Sequence, residues 1–258
     1  MANRLVKTLA ATIAALGLGI GAAQAAGDAK ELKHADWSHA GPFGTYDRAA
    51  VQRGYQVFDE ACASCHSLKY IAFRNLTEIG FSEEQAKAIA AEKTVTDGPN
   101  NDGEMFERPA KLFDYYPSPF PNAKAAAAGF GIAPPDLSLM SKARPHGDDY
   151  IYSLLTGYNE QPDEEMAKKL ESGGNYNPYF PGGIIAMPAP LSDDQVEYVD
   201  GTPATVDQMA KDVVAFLAWA AEPKMEERKQ MGVKVILFLI FLSVLLYLAK
   251  KQIWGRLH

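Results

Sequence analysis

The sequence predicts a mainly α-helical domain with long loops, exported across a membrane and held to it by one C-terminal helix. Three observations carry this expectation. The first 25 residues have the layout of an export signal, residues 231–249 form an almost uncharged apolar run, and helix-capping signals alternate with stretches rich in proline and glycine. The chain has 258 residues, 47% hydrophobic and 22% charged, with 16 prolines and 21 glycines. That composition excludes wholesale disorder and a multi-span transporter. Acidic residues (32) outnumber basic ones (25), which argues against a nucleic-acid partner and favours basic ones.

Arg4 and Lys7 precede an apolar stretch from Leu9 to Ile20, and Ala23-Gln24-Ala25 supplies the small-x-small pattern of a signal cleavage site. Residues 1–25 are therefore read as a signal peptide, and 26–222 as the exported domain. Cleavage removes two basic residues and leaves 23 against 32 acidic ones, a formal charge of −9. Next, Val51, Tyr55, Phe58, Cys62 and Cys65 recur at steps of three and four, which predicts a helix capped by Asp47 or Thr45 whose apolar face packs on a cofactor. Ser82-x-x-Gln85 and Thr205-x-x-Gln208 open helices at 83–93 and 206–221. The second of these carries Met209, Val213, Phe216, Leu217 and Ala220 on one face and stops before Pro223. Shorter helices are expected from Asp148 to Thr156 and from Pro162 to Glu171, each ended by glycine.

Residues 223–230 read as a linker to a transmembrane helix at 231–249, and 250–258 as a tail. The run of 19 residues spans about 28 Å at 1.5 Å per residue, the thickness of a bilayer core. Lys234, Lys250 and Lys251 can snorkel to the interfaces, where Tyr247 and Trp254 are also suited to sit. Flanking basic residues are nearly balanced, so the export signal decides the topology: domain outside, tail in the cytoplasm.

The only two cysteines sit in Cys62-Ala63-Ser64-Cys65-His66, which rules out a disulfide scaffold. This C-x-x-C-H spacing is that of covalent c-type haem attachment: two thiols one helical turn apart each meet a vinyl group, and the adjacent imidazole reaches the iron. A zinc site would need two further ligands in a second cluster, and a thiol-disulfide oxidoreductase remains as a rival use of Cys62 and Cys65. For the sixth ligand, His34 and His39 suit surface or structural roles, and His258 lies in the tail. Met187 stands in Pro181-Gly182-Gly183-Ile184-Ile185-Ala186-Met187-Pro188, where glycines admit close backbone approach and prolines stiffen the loop. Met105, Met140 and His146 stay open as alternatives.

Taken together, Gly54-Tyr55-Gln56-Val57-Phe58 before the cysteine motif, Pro134-Pro135-Asp136-Leu137-Ser138, Asp149-Tyr150-Ile151, Leu154-Leu155-Thr156-Gly157-Tyr158, Asn177-Pro178-Tyr179-Phe180-Pro181-Gly182-Gly183, Met187-Pro188 and Asp200-Gly201-Thr202-Pro203-Ala204-Thr205 resemble the cytochrome c1 family of bacterial type. The likeness covers essentially the whole mature chain. It implies a class I cytochrome c-like haem domain in the periplasm and one haem c on Cys62 and Cys65. It further implies His66 and Met187 as axial ligands, with Arg144 pairing a haem propionate. The implied role is electron transfer within a dimeric cytochrome bc1 complex of the inner membrane, beside cytochrome b. Electrons would come from the Rieske iron-sulfur protein and pass to a soluble basic cytochrome c, the chain being no enzyme by itself. A membrane-anchored haem enzyme or gas sensor with a labile sixth ligand is the alternative. The acidic stretches Asp97 to Glu107, Asp148-Asp149, Asp163-Glu164-Glu165 and Asp193-Asp194 are the expected source of attraction for a basic acceptor. Some bacterial relatives hold the insertion before the Met loop with a disulfide; this chain must hold residues 160–176 otherwise.

Overall fold

Asp47 starts the first helix. Its Oδ1 accepts from the N–H groups of Ala49 and Ala50 (3.0 and 3.3 Å), so of the two expected caps it is Asp47 that serves α1 (Arg48–Val57). The computed structural model describes residues 30–256; the expected signal peptide at 1–25 and His258 lie outside them. Without a break, α1 runs into a π-helical turn at Phe58–Cys62, in which the Ala63 N–H donates to the Phe58 carbonyl (2.8 Å). A 3-10 helix (Phe73–Ile79) follows, then α2 (Glu83–Ala91), opened by the reciprocal Ser82/Gln85 capping box at 3.2 and 2.8 Å. An antiparallel hairpin pairs β1 (Thr94–Asp97) with β2 (Phe106–Pro109). The alanine run belongs to α3 (Ala123–Phe130), started by the Asn122 side chain, and the sequence reading had no helix there.

Beyond it come α4 (Met140–Ala143), α5 (Gly147–Leu155) and α6 (Glu164–Leu170), then a two-residue hairpin of β3 (Asn175–Tyr176) and β4 (Ile184–Ile185). α7 (Val206–Ala221) begins at Thr205, whose hydroxyl accepts from the Gln208 N–H (3.2 Å). The last helix is α8 (Met225–Trp254).

The centre of the domain is the crossing of α1 and α7. At Gly54 the two backbones approach so closely that a Cβ would lie 1.9 Å from the Asp212 carbonyl oxygen. Tyr55 and Phe58 stack their rings against Phe216 at 5.6 Å each, and Val51 and Phe58 are fully enclosed. This corrects two expectations. The face made by Val51, Tyr55 and Phe58 is taken up by α7, leaving only its end at Cys62 and Cys65 for a cofactor. In addition, α7 is buried on all sides rather than along one stripe, because α1, α4 and α5 pack around it.

One charge lies inside this core. Asp212, 1% exposed, takes a bidentate pair of hydrogen bonds from Arg53 Nε and Nη2 (2.9 Å each), and Arg53 Nη1 reaches Asp200 (2.9 Å). His39 is buried against Asp148 (2.9 Å), while Asp149 receives the Trp37 indole N–H (2.8 Å) and pairs with His34 (2.7 Å). These contacts strap the N-terminal segment onto α5, the structural role expected of both histidines.

The segment read as a linker, 223–230, is helical from Met225. It contains no glycine and no proline after Pro223, and its Glu, Arg, Lys and Gln residues are good helix formers. Its first turns pack on the folded domain. Met225 is buried, Glu226 accepts from the Tyr46 N–H (2.8 Å) and pairs with Arg48 (2.8 Å), and Glu222 joins Arg228 to Lys142. Beyond them the helix is long and apolar enough to cross a membrane, and its most apolar window makes no contact that buries it.

Two outcomes are expected. Gly54→Val should destabilise the domain by about 3 kcal/mol or prevent folding, measured by chemical denaturation, because the crossing has no room for a side chain. The Glu222 carboxyl is held below its ordinary pKa by the Arg228 guanidinium and then by Lys142. Its contribution is therefore complete above the unfolded value near 4.5 and lost as pH falls through the lower folded one. Amide exchange across Met225–Lys229 should accelerate over that acid range, and Glu222→Gln should abolish the pH dependence.

Candidate functional site

The π-helical turn presents Cys62, and the next turn presents Cys65 and His66. Cys65 and His66 both donate their backbone N–H to the Cys62 carbonyl (3.1 and 2.9 Å), which fixes the two sulfurs and the imidazole on one turn. Burial pushes the Cys62 thiol up to about 12, with the neighbouring Cys65 adding to the effect. A raised pKa makes Cys62 a poor attacking thiol, which gives no support to a dithiol role for it. Among the described residues no group of three or more His, Cys, Asp and Glu side chains is gathered as a metal-ion site, so the zinc reading gains none.

His66 has one ring nitrogen committed. Its Nδ1 lies 2.8 Å from the Pro135 carbonyl oxygen. A carbonyl can only accept, so Nδ1 carries the proton and Nε2 keeps its lone pair for a metal. Burial lowers the imidazole pKa, with the Pro135 carbonyl acting against that, which keeps the ring neutral and able to ligate.

The Pro135 carbonyl is itself held by a zipper between residues 67–70 and 135–138. The Asp136 carboxylate accepts from Ser67 Oγ (2.7 Å) and the Lys69 N–H (3.0 Å), the Leu137 N–H donates to the Ser67 carbonyl (2.9 Å), and the Tyr70 N–H donates to the buried Ser138 Oγ (3.1 Å). Burial disfavours the Asp136 anion, but these hydrogen bonds outweigh it and its pKa falls below the ordinary value. Beside Cys65 a cleft of about 310 Å³ is lined by Ser67, Lys69, Phe120, Pro134 and Asp136.

Met187 follows β4 on a loop stiffened by its prolines and by the β3–β4 pairing. Its carbonyl accepts from Tyr158 Oη (3.0 Å), so the far end of the Leu154–Tyr158 stretch grips the loop at the methionine itself. The half-buried thioether is not engaged by any of these bonds. Residues 160–176, without a disulfide, are held by packing and by one carboxylate. Met166 of α6 sits under Gly183, where a Cβ would come within 2.8 Å of its Cε, and Glu160 binds Tyr179 Oη (3.1 Å) and Lys30 (2.6 Å).

Arg144 is exposed at the end of α4, donating to the Ala143 carbonyl (3.1 Å). His146 stands at φ +51° before α5 and is likewise exposed, while Met105 is 61% exposed on the hairpin side. Sequence reasoning by residue type missed Pro135, Asp136 and Tyr158 as positioning groups; only the X-Pro-Pro-Asp turn chemistry and the Gly157-Tyr158 helix end hinted at them. It also placed weight on acidic residues that have structural work. Asp193 Oδ1 accepts from the Val206 N–H (2.7 Å) at the start of α7, and Asp163 caps α6 through the Met166 N–H (2.8 Å).

The donor set fits a c-type haem: two thiols and a neutral imidazole on one turn with Nε2 available, a thioether on a braced loop, and a guanidinium within reach of solvent. The Cytochrome C1 family profile matches residues 37–257. The chain is 50% identical to cytochrome c1 of Rhodospirillum rubrum across 98% of both chains. It is 52% identical to the mitochondrial cytochrome c1 heme protein of Saccharomyces cerevisiae over 85% of this chain and 71% of that one. It is also 50% identical to the cytochrome b/c1 protein of Bradyrhizobium diazoefficiens, over 86% of this chain and 35% of that longer one. The chain belongs to the cytochrome c1 family, and the cofactor of that family is haem c.

Tyr158→Phe removes the one side-chain hydrogen bond to the Met187 carbonyl. On the expectation that Met187 ligates the iron, the haem-loaded variant should keep its covalent haem but lose its methionine-to-iron charge-transfer band at a lower temperature than wild type, read in a thermal scan of the visible spectrum.

Proposed function

We propose that this chain is the electron-transfer haem subunit of a cytochrome bc1 complex, carrying one haem c on Cys62 and Cys65 with His66 and Met187 as axial ligands. The observation that carries this reading is the His66 Nδ1–Pro135 contact at 2.8 Å, which frees Nε2 on the residue that follows the cysteine pair. Bound haem supplies a reversible one-electron change at iron. The residues around it do the rest. Cys62 and Cys65 would hold the group through two thioethers, and the Asp136 zipper would keep the imidazole's orientation fixed, which limits reorganisation. The Met187 thioether, a soft neutral donor, would favour the reduced form and so raise the potential. Arg144, exposed at the end of α4, would supply a guanidinium to pair a propionate carboxylate at the solvent edge of the site.

The domain scheme goes with this reading: signal peptide at 1–25, periplasmic haem domain at 26–222, a span within 231–249 and a cytoplasmic tail at 250–258. The long α8 and the export-signal pattern support it, with the change that residues 225–230 continue the helix. The inner membrane is the expected location. Cytochrome b is the nearest partner on this reading, supported by the longer relative whose name joins b and c1. The Rieske protein as donor and a soluble basic cytochrome c as acceptor complete the chain of transfer, the latter favoured by the excess of acidic residues. Family membership does not favour a labile sixth position of the kind a gas sensor needs.

Met187→Leu tests the assignment directly. Haem should remain covalently attached, the potential should fall, the ferric spin state should change, and quinol-driven turnover of the complex should collapse. A charge-transfer band unchanged in that variant would return the sixth position to Met105, Met140 or His146.

A further inference from the structure

The turn at Gly41–Thr45 is built to hold one aromatic side chain out at the head of α8. Gly41 sits at φ +69°, and at Gly44 a Cβ would lie 2.0 Å from the Ala40 carbonyl oxygen, so neither position takes a larger residue. Lys229 of α8 donates from Nζ to the carbonyls of His39 (2.6 Å) and Gly44 (3.0 Å) and locks the turn onto the helix. Between these fixed glycines Phe43 is 80% exposed. A phenylalanine held in water by a rigid turn has no stabilising role in the domain itself.

Its position along α8 gives it one. The turn and the helix together flank an open cleft of about 420 Å³ lined by Phe43, Glu226, Lys229, Gln230, Val233 and Lys234, with Pro42, Gly44 and Thr45 along its edge. Val233 is one helical turn, about 6 Å, beyond Lys229 and belongs to the apolar run. The cleft therefore straddles the level at which the chain passes from water to hydrocarbon. Its charges are unequal in availability. The Glu226 carboxylate is occupied by Arg48 and the Tyr46 N–H, and Lys229 by two carbonyls, whereas Lys234 is exposed and has no ion-pair partner among the described residues.

We propose that this cleft binds the headgroup phosphate of one outer-leaflet phospholipid, with Lys234 and Gln230 on the phosphate and Phe43 and Val233 against the first acyl methylenes. The lining sets the ammonium groups of Lys229 and Lys234, the Glu226 carboxylate and the Gln230 amide beside the apolar Pro42, Phe43 and Val233, and of the two cations Lys234 is the one not already held, a combination that suits an anionic amphiphile. A helix from a membrane partner would need a longer apolar groove than this cleft offers. The consequence is mechanical: a lipid seated here sets the depth and tilt of the haem domain over the bilayer, through a turn bolted to α8 by Lys229.

The inference requires that α8 spans the membrane, and resistance of the full chain to carbonate extraction checks that premise separately. For the site itself, p-benzoylphenylalanine replaces Phe43 in the full-length haem-loaded protein, incorporated into vesicles of phosphatidylcholine and phosphatidylglycerol at 3:1 and, in parallel, in native membranes. After illumination, intact mass spectrometry should find a phospholipid added to the chain in both settings. Lys234→Gln should reduce that adduct at least threefold, Lys250→Gln should leave it unchanged, and both variants should keep the wild-type haem spectrum. A protein adduct in native membranes, no adduct, or a yield indifferent to Lys234→Gln would each overturn the proposal. Addition of inorganic phosphate should not compete; loss of the lipid adduct in its presence would reduce the site to one for a free anion and likewise overturn it.

Discussion

The close crossing of α1 and α7 at Gly54 is the constraint on which the remaining structure depends. Backbones that approach to the point where a Cβ would meet the Asp212 carbonyl bring Tyr55 and Phe58 onto Phe216 and close the core. The same contact buries Asp212, which only Arg53 on the facing helix can neutralise. Removal of one partner from such a pair leaves an uncompensated buried charge, at a cost of about 3–5 kcal/mol, so the ion pair acts as a register pin more than as a source of net stability. With α1 fixed in register, its π-helical extension delivers Cys62 at one end of the core, and the position of the cofactor follows from that of the helix crossing.

A second constraint then sets the imidazole. The cysteine turn alone would leave the His66 ring free to rotate. The ladder from Ser67 to Ser138 pins the Pro135 carbonyl against Nδ1, and Asp136 sustains the ladder by accepting from a hydroxyl and a backbone N–H at once. The Met187 loop is braced in an analogous way, Tyr158 holding the Met187 backbone and Met166 filling the space beneath Gly183. The absent disulfide is thus replaced by a packed thioether and the Glu160 contacts, which constrain the folded loop without cross-linking the unfolded chain.

Much of this was legible in the sequence, and what was not has a physical reason. Capping side chains at Asp47, Ser82 and Thr205 act on N–H groups two or three residues away, so their consequences are local and they marked helix starts correctly. The cysteine motif is equally local. The face of α1 was assigned to the cofactor because periodicity reveals that a stripe is buried but not what buries it, and here the partner is Phe216, more than 150 residues away. The continuity of α8 escaped notice because a charged stretch before an apolar span reads as a linker, whereas Glu226 and Lys229 are engaged by Tyr46, Arg48, His39 and Gly44 from the far end of the chain. Pro135 acts through a backbone carbonyl, which no residue-type argument can single out.

The acidic surplus reads differently once its members are located. Asp148 and Asp149 face His39, His34 and Trp37; Asp163 and Asp193 cap helices; Asp97 and Asp114 share Arg108. These carboxylates are engaged in local structure, and Arg108 cancels much of the field that Asp97 and Asp114 would project. On the proposed function, long-range attraction for a basic acceptor would come from carboxylates outside those pairs, such as the exposed Asp102, Glu104, Glu107 and Asp194. A charge reversal at Asp193 would disturb the start of α7 before it altered docking, since the helix N-terminus would lose its acceptor. Attraction by the summed field of scattered surface charges, unlike a single acidic patch, survives the loss of any one of them and fades uniformly with ionic strength. That is the behaviour the proposed soluble acceptor would require, since it must arrive quickly and leave again.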